Sequence, residues 1–143
     1  MMDSFNESLF VYFDGSFKNN IGSIGFVIKN QGGDVLLKSK EYLQFIDSNT
    51  EAELFSLYTS IKTVCNEFNI EDRVVYVFSD NQNIIDVIDD DTCCTFNEDE
   101  FQKYITESVE MLREAEFMVF KKISSYDNKE AHFLSNSAIE NPC

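Results

Sequence analysis

Tryptophan is absent, proline and histidine occur once each, and glycine only five times. The one proline is Pro142, so no proline-rich linker divides the chain. Basic residues are scarce: 11 Lys and Arg stand against 26 Asp and Glu, a formal net charge of −15. That balance argues against tight, unaided binding to DNA or RNA, because phosphate neutralisation supplies much of such affinity. It leaves room for a local site where divalent cations carry the positive charge. No apolar run approaches the roughly 20 residues of a membrane span, so no membrane partner is expected. Met1-Met2-Asp3-Ser4-Phe5-Asn6-Glu7 has neither a basic n-region nor a long apolar stretch, so it does not read as a secretory signal. A cytoplasmic location, or a nuclear one in a eukaryote, is the default expectation. The cysteines Cys65, Cys93, Cys94 and Cys143 form no C-x-x-C pair. Their spacing argues against a zinc site and against a disulfide framework. It leaves reduced thiols, with Cys65 packed inside a helix.

What is present is an ordinary globular composition. At 143 residues, 43% hydrophobic and 14% aromatic, residues 1–143 read as a single domain with one core. Three β-like runs open it, over 8–14, 23–29 and 35–43. Asn30-Gln31-Gly32-Gly33-Asp34 is a strong hairpin signal between the last two. Asp47, Ser48, Asn49 and Thr50 then offer N-caps for a long helix. Its apolar positions, from Ala52 through Leu54, Leu57, Ile61 and Val64 to Phe68, recur at helical spacing. Val74-Val75-Tyr76-Val77-Phe78 is a continuous apolar run that reads as a buried parallel strand. A short helix over 82–88, an acidic stretch over 89–100, a helix over 101–114, a strand over 117–123 and a helix over 128–140 complete the chain. The order β-β-β-α-β-α-α-β-α predicts an α/β fold. Three antiparallel strands and then two parallel ones form a mixed five-stranded sheet flanked by helices.

The chemistry concentrates in three acids. Val11-Tyr12-Phe13-Asp14-Gly15-Ser16 is an apolar strand expected to end on Asp14. Asp80 follows the fourth strand, and Glu53 sits near the start of the long helix. If the first and fourth strands are parallel neighbours, Asp14 and Asp80 emerge at one sheet edge, where ligands of open α/β sheets bind. Glu53 can lean over that edge. Hard oxygen ligands grouped this way suit Mg²⁺ or Mn²⁺. A pair of such ions about 3.5–4 Å apart can activate a water and stabilise a phosphodiester leaving group. Taken singly, each acid has a plainer reading: a turn, an N-cap, or a first-turn acid favoured by the helix dipole. Three carboxylates together without a cation would cost energy, which favours the metal reading.

Across about residues 8–140 the sequence resembles the ribonuclease H type 1 family of the RNase H-like superfamily. Asp14-Gly15-Ser16 resembles the family's first-strand D-G-S, and Asn20 and Gly22 fall at its N-x-G turn. Asn49-Thr50-Glu51-Ala52-Glu53 resembles N-N-x-x-E, Ser79-Asp80-Asn81-Gln82 resembles [ST]-D-S-Q, and Asn128-Lys129-Glu130-Ala131-His132 resembles N-x-x-A-D. The resemblance implies an RNase H-like fold and a metal-dependent endonuclease that cleaves the RNA strand of RNA–DNA hybrids, leaving 3′-hydroxyl and 5′-phosphate ends. It implies that Asp14, Glu53, Asp80 and His132 are the catalytic and metal-holding set. It further implies that Gly15, Ser16, Asn20, Asn49, Thr50 and Gln82 meet the substrate. The ribose 2′-OH is the handle that distinguishes RNA from DNA.

The chain also departs from the family pattern. His132 takes the position of the fourth acid. As a ligand it would bring a softer nitrogen and no negative charge, which favours Mn²⁺ over Mg²⁺; the plainer reading is a surface helix residue. Thr50 replaces the second Asn of the helix motif. The loop Ser124-Ser125-Tyr126-Asp127 carries no His, and no basic Trp-bearing protrusion is present. Lys121, Lys122 and Lys129 are the nearest basic residues, so grip on a hybrid should be weak and salt-sensitive. Two other readings follow. One is a catalytically weak or inactive RNase H-like binding module, with the acidic 89–100 segment docking a basic protein. The other is a nuclease of the same fold acting on another nucleic acid.

Overall fold

A computed structural model describes residues 7–44, 46–89 and 99–140. Strands β1 (Leu9–Lys18), β2 (Ile21–Lys29) and β3 (Val35–Gln44) form an antiparallel meander. Helix α1 (Asn49–Glu67) leads to β4 (Val74–Ser79), then α2 (Gln82–Asp89) and α3 (Asp99–Met111) lead to β5 (Phe117–Lys122), and α4 (Lys129–Glu140) follows. The sheet order is β3-β2-β1-β4-β5, with β4 parallel to both β1 and β5. This is the mixed sheet and the element order that the sequence predicts. Residues 90–98, most of the acidic segment for which a basic partner is expected, lie outside the described residues, as do Cys93, Cys94 and Cys143. No described helix is long and apolar enough to cross a membrane.

One boundary differs from expectation in a way that matters. β1 does not end on Asp14 but runs on to Lys18, paired with β2 from Phe10↔Lys29 to Lys18↔Ile21. The reason is the turn. Asn19 and Asn20 both have positive φ, 54° and 62°. That is the primed two-residue hairpin whose twist matches its strands. Pairing of β1 with β4 stops earlier, at Tyr12↔Phe78. Asp14 therefore sits within a hairpin yet beyond the last rung shared with β4. Asp80 follows the end of β4 at the same sheet edge.

Strand parity sorts the two faces. Leu9, Val11 and Phe13 of β1, with Val75 and Val77 of β4, pack against Leu54, Leu57, Ile61 and Val64 of α1. Each fully buried side chain of this size contributes about 1.5–3 kcal/mol from leaving water. Cys65 extends the helix layer, its thiol donating to Met111 O of α3 at 3.3 Å. The opposite parity, Phe10 and Tyr12 with Tyr76 and Phe78, forms a stacked aromatic array with adjacent rings 4.8 Å apart. α4 lies on that second face against β1 and β2.

Two glycines allow both helices to approach this closely. A Cβ on Gly15 would lie 2.5 Å from Ala52 C and Glu53 N of α1. A Cβ on Gly25 would lie 2.5 Å from Ser135 N and 2.6 Å from Ala131 O of α4. Gly25 is also the register partner of Asp14. The two close approaches thus bring the start of α1 and the middle of α4 to the same stretch of the β1–β2 ribbon.

Candidate metal centre

Each acid of the sheet edge arrives on a different element. Asp14 projects from β1 on the face covered by α4. Glu53 comes from the second turn of α1, which Ser48 caps by accepting from Glu51 N at 3.1 Å. Asp80 follows β4. One carboxylate oxygen from each of the three lies within 4.8 Å of the others. Asp14 and Glu53 are buried, at 5% and 7% exposure, and Asp80 is half-buried. They share an open cleft with Ser16, Asn49, His132 and Asn136.

Burial and like charge put this cluster under electrostatic stress. The Glu53 carboxyl is pushed from its ordinary 4.5 up to about 7, first by desolvation and then by the charges of Asp14 and Asp80. Hydrogen bonds from Asn81 and Asn49 oppose that rise. The Asp14 carboxyl is raised too, chiefly by burial; its hydrogen bond with His132 works the other way, and Asp80 adds to the rise. Three oxygen donors whose ionised forms repel one another are what a divalent cation relieves. The donor set therefore fits a hard metal ion.

Two amide side chains hold the acids in place. Asn81 donates Nδ2–H to Glu53 Oε2, while its Oδ1 accepts from Asn83 N at 2.9 Å and Ile84 N at 3.3 Å. It thus caps α2 and orients Glu53 at once. Asn128, 1% exposed at the approach to α4, donates to Phe13 O at 2.9 Å. That bond ties α4 to β1 directly beside Asp14.

His132 lies on the exposed side of the cluster, in contact with Asp14. Its Nδ1 is 2.7 Å from Asp14 Oδ2, and its Nε2 is 2.9 Å from Asn136 Nδ2. Ser16 Oγ donates to Asn136 Oδ1 at 2.8 Å. Gly15 lies buried beneath α1, where its missing side chain is the relevant feature.

The other sequence-selected residues scatter around this cleft. Asn49 lines it. Gln82 lines the adjoining groove with Glu53, Asp80 and Asn81, and its amide donates to Asp86 Oδ1 at 2.6 Å. Asn20 is at the β1–β2 turn, where its carbonyl accepts from Ile46 N at 3.2 Å. It and the half-buried Thr50 do not line the cleft. Asn136 and the amide of Asn81 escape sequence reasoning. The available signal for Asn136 was its i+4 spacing from His132, which puts both on one helix face.

A family model described as reverse transcriptase-like matches residues 12–138. The chain belongs to this RNase H-like family. Among solved structures, RNase H1 from the halophilic archaeon Halobacterium salinarum is similar at a TM-score of 0.83 and 16% identity, over 94% of this chain and 98% of that one. LC11-RNase H1, isolated from compost by a metagenomic approach, is similar at 0.83 and 23% identity, over 94% and 97%. The same LC11 protein in complex with an RNA/DNA hybrid matches at 0.78 and 22% identity, over 94% and 98%. These likenesses establish the RNase H-like fold. No curated protein sequence matches significantly.

Proposed function

We propose that this RNase H-like protein is a metal-dependent endonuclease that cleaves the RNA strand of RNA–DNA hybrids. The observation that carries the reading is the trio Asp14, Glu53 and Asp80. It gathers three oxygen ligands within 4.8 Å at the edge of an RNase H-like sheet. These three carboxylates would hold Mg²⁺ or Mn²⁺. When bound, such ions supply Lewis acidity and a water of lowered pKa for phosphodiester attack.

The chain's own residues do the remaining work. Asn81 and Asn49 hydrogen-bond Glu53 and keep its oxygens directed into the cluster. Asn49 offers an amide group at the cleft wall for sugar and phosphate oxygens. Lys122 pairs with Ser79 across β4 and β5, so an exposed lysine stands at the same sheet edge as the acids. Phosphate contacts of that kind position a substrate without reading its sequence. Hybrid preference would come from groups that meet the 2′-OH, with Gln82 beside the acids the nearest candidate.

The test is direct. Purified protein with Mn²⁺ or Mg²⁺ and an end-labelled hybrid at low salt should give internal cleavage of the RNA strand, and Asp80→Asn should reduce it to background. No cleavage in either metal would overturn the proposal. His132, in place of a fourth acid, favours a second reading, a binding module that cleaves poorly. It predicts hybrid retention without product.

A further inference from the structure

Both ring nitrogens of His132 are already engaged by protein groups. Nδ1 faces Asp14 Oδ2 at 2.7 Å and Nε2 faces the Asn136 side-chain amide at 2.9 Å. The imidazole always keeps at least one ring proton, so the nitrogen that does not accept in these two contacts is the one that bears it. A nitrogen that bears a proton has no free lone pair for a metal. The second contact is equally constrained. Ser16 gives its hydroxyl proton to Asn136 Oδ1, so the other end of that amide, an N–H donor, meets Nε2. Nε2 is then the acceptor, and the ring proton is on Nδ1, facing Asp14. Ser135, fully buried, lies with its hydroxyl 2.8 Å from Ser16 Oγ and donates to the His132 carbonyl at 3.0 Å. Donors run from Ser16 through Asn136 and His132 to Asp14.

We propose that His132 is a positioning residue for Asp14 and not a metal ligand, and that Asn136, held by Ser16, sets the tautomer in which it serves. The proposal rests on the reading of Asp14, Glu53 and Asp80 as a metal centre. It replaces the ligand role that the sequence suggests for His132. In it, Oδ2 of Asp14 is committed to the imidazole, and the other oxygen is left for the cation. Hydrogen-bond partners of metal-holding side chains fix ligand orientation and typically affect metal affinity by about 10–100-fold.

His132 is the only histidine in the chain, so ¹⁵N labelling of histidine yields a single pair of ring signals. In metal-free protein at mildly alkaline pH, Nδ1 should report as the protonated nitrogen and Nε2 as the bare one. Addition of Mg²⁺ should leave the Nδ1 proton in place. Asn136→Leu should release the ring to a tautomer mixture and weaken Mg²⁺ binding by about tenfold in calorimetry. Loss of the Nδ1 proton on adding Mg²⁺ would make His132 a ligand and overturn the proposal. So would an Nε2-protonated ring in the metal-free wild type, which does not depend on the variant's folding. Absence of any Mg²⁺ or Mn²⁺ binding would instead overturn the metal-centre reading, and the metal-free ring signals would still decide the tautomer.

Discussion

Among the described residues, Glu53 carries the strongest pH signature. Its folded value near 7 exceeds its ordinary 4.5, so the folded chain holds this proton more tightly than the unfolded chain. The stabilising contribution of that difference is complete below about pH 4.5 and is lost as pH rises through about 7. Glu53→Gln removes the ionisation and keeps the shape. In metal-free buffer the variant should match wild type near pH 4.5. It should become the more stable of the two by about 2–3 kcal/mol above pH 7. Paired urea denaturations across that range check this, and parallel stability profiles would contradict it. Sequence motifs pointed to Glu53 but not to its burial, which depends on α1 closing over Gly15. The amide of Asn81 was equally illegible, because its contact with Glu53 joins two elements that meet only in three dimensions.

At the scale of elements, close approach of backbone decides the site. Gly15→Ala would place a Cβ 2.5 Å from backbone atoms of Ala52 and Glu53, where no flexible side chain can yield. Either α1 moves away from β1 or the strand buckles. We expect a loss of about 1–3 kcal/mol or more in chemical denaturation. A larger proportional loss of Mg²⁺ affinity should accompany it, because Glu53 is displaced with the helix. An unchanged Mg²⁺ affinity would show that the approach of α1 does not set the cluster. Elements with strong local signals were readable in advance. The glycine turn at 30–34, the period of α1 and the apolar run of β4 all express short-range preference. The end of β1 is hidden in the sequence because polar Ser16, Lys18, Asn19 and Asn20 break the apolar pattern. The ribbon continues there through hairpin pairing and a positive-φ turn, which hydrophobic periodicity does not register.

For the whole molecule, charge is the governing quantity. A chain of net charge −15 repels itself when compact, and its buried acids add a local share. NaCl should raise the unfolding midpoint of the metal-free protein modestly by screening. MgCl₂ at equal ionic strength should raise it further, through an added stability of about 2.7 kcal/mol at a hundredfold excess over the dissociation constant. Asp80→Asn should reduce that extra increment. Melts in matched salts measure both effects, and identical shifts in NaCl and MgCl₂ would argue that no specific cation site exists.

The sequence by itself determined the alternation of elements, the mixed sheet and the identity of three acids on three separate elements. These follow from periodicity, turn residues and motif spacing, all of which are local. Only the tertiary structure decided which groups touch. It set the distance among Asp14, Glu53 and Asp80, the burial that raises the Asp14 and Glu53 carboxyls, and the seat of His132 against Asp14 and Asn136. Such contacts depend on helix-to-strand approach through Gly15 and Gly25, a packing constraint that no local pattern encodes.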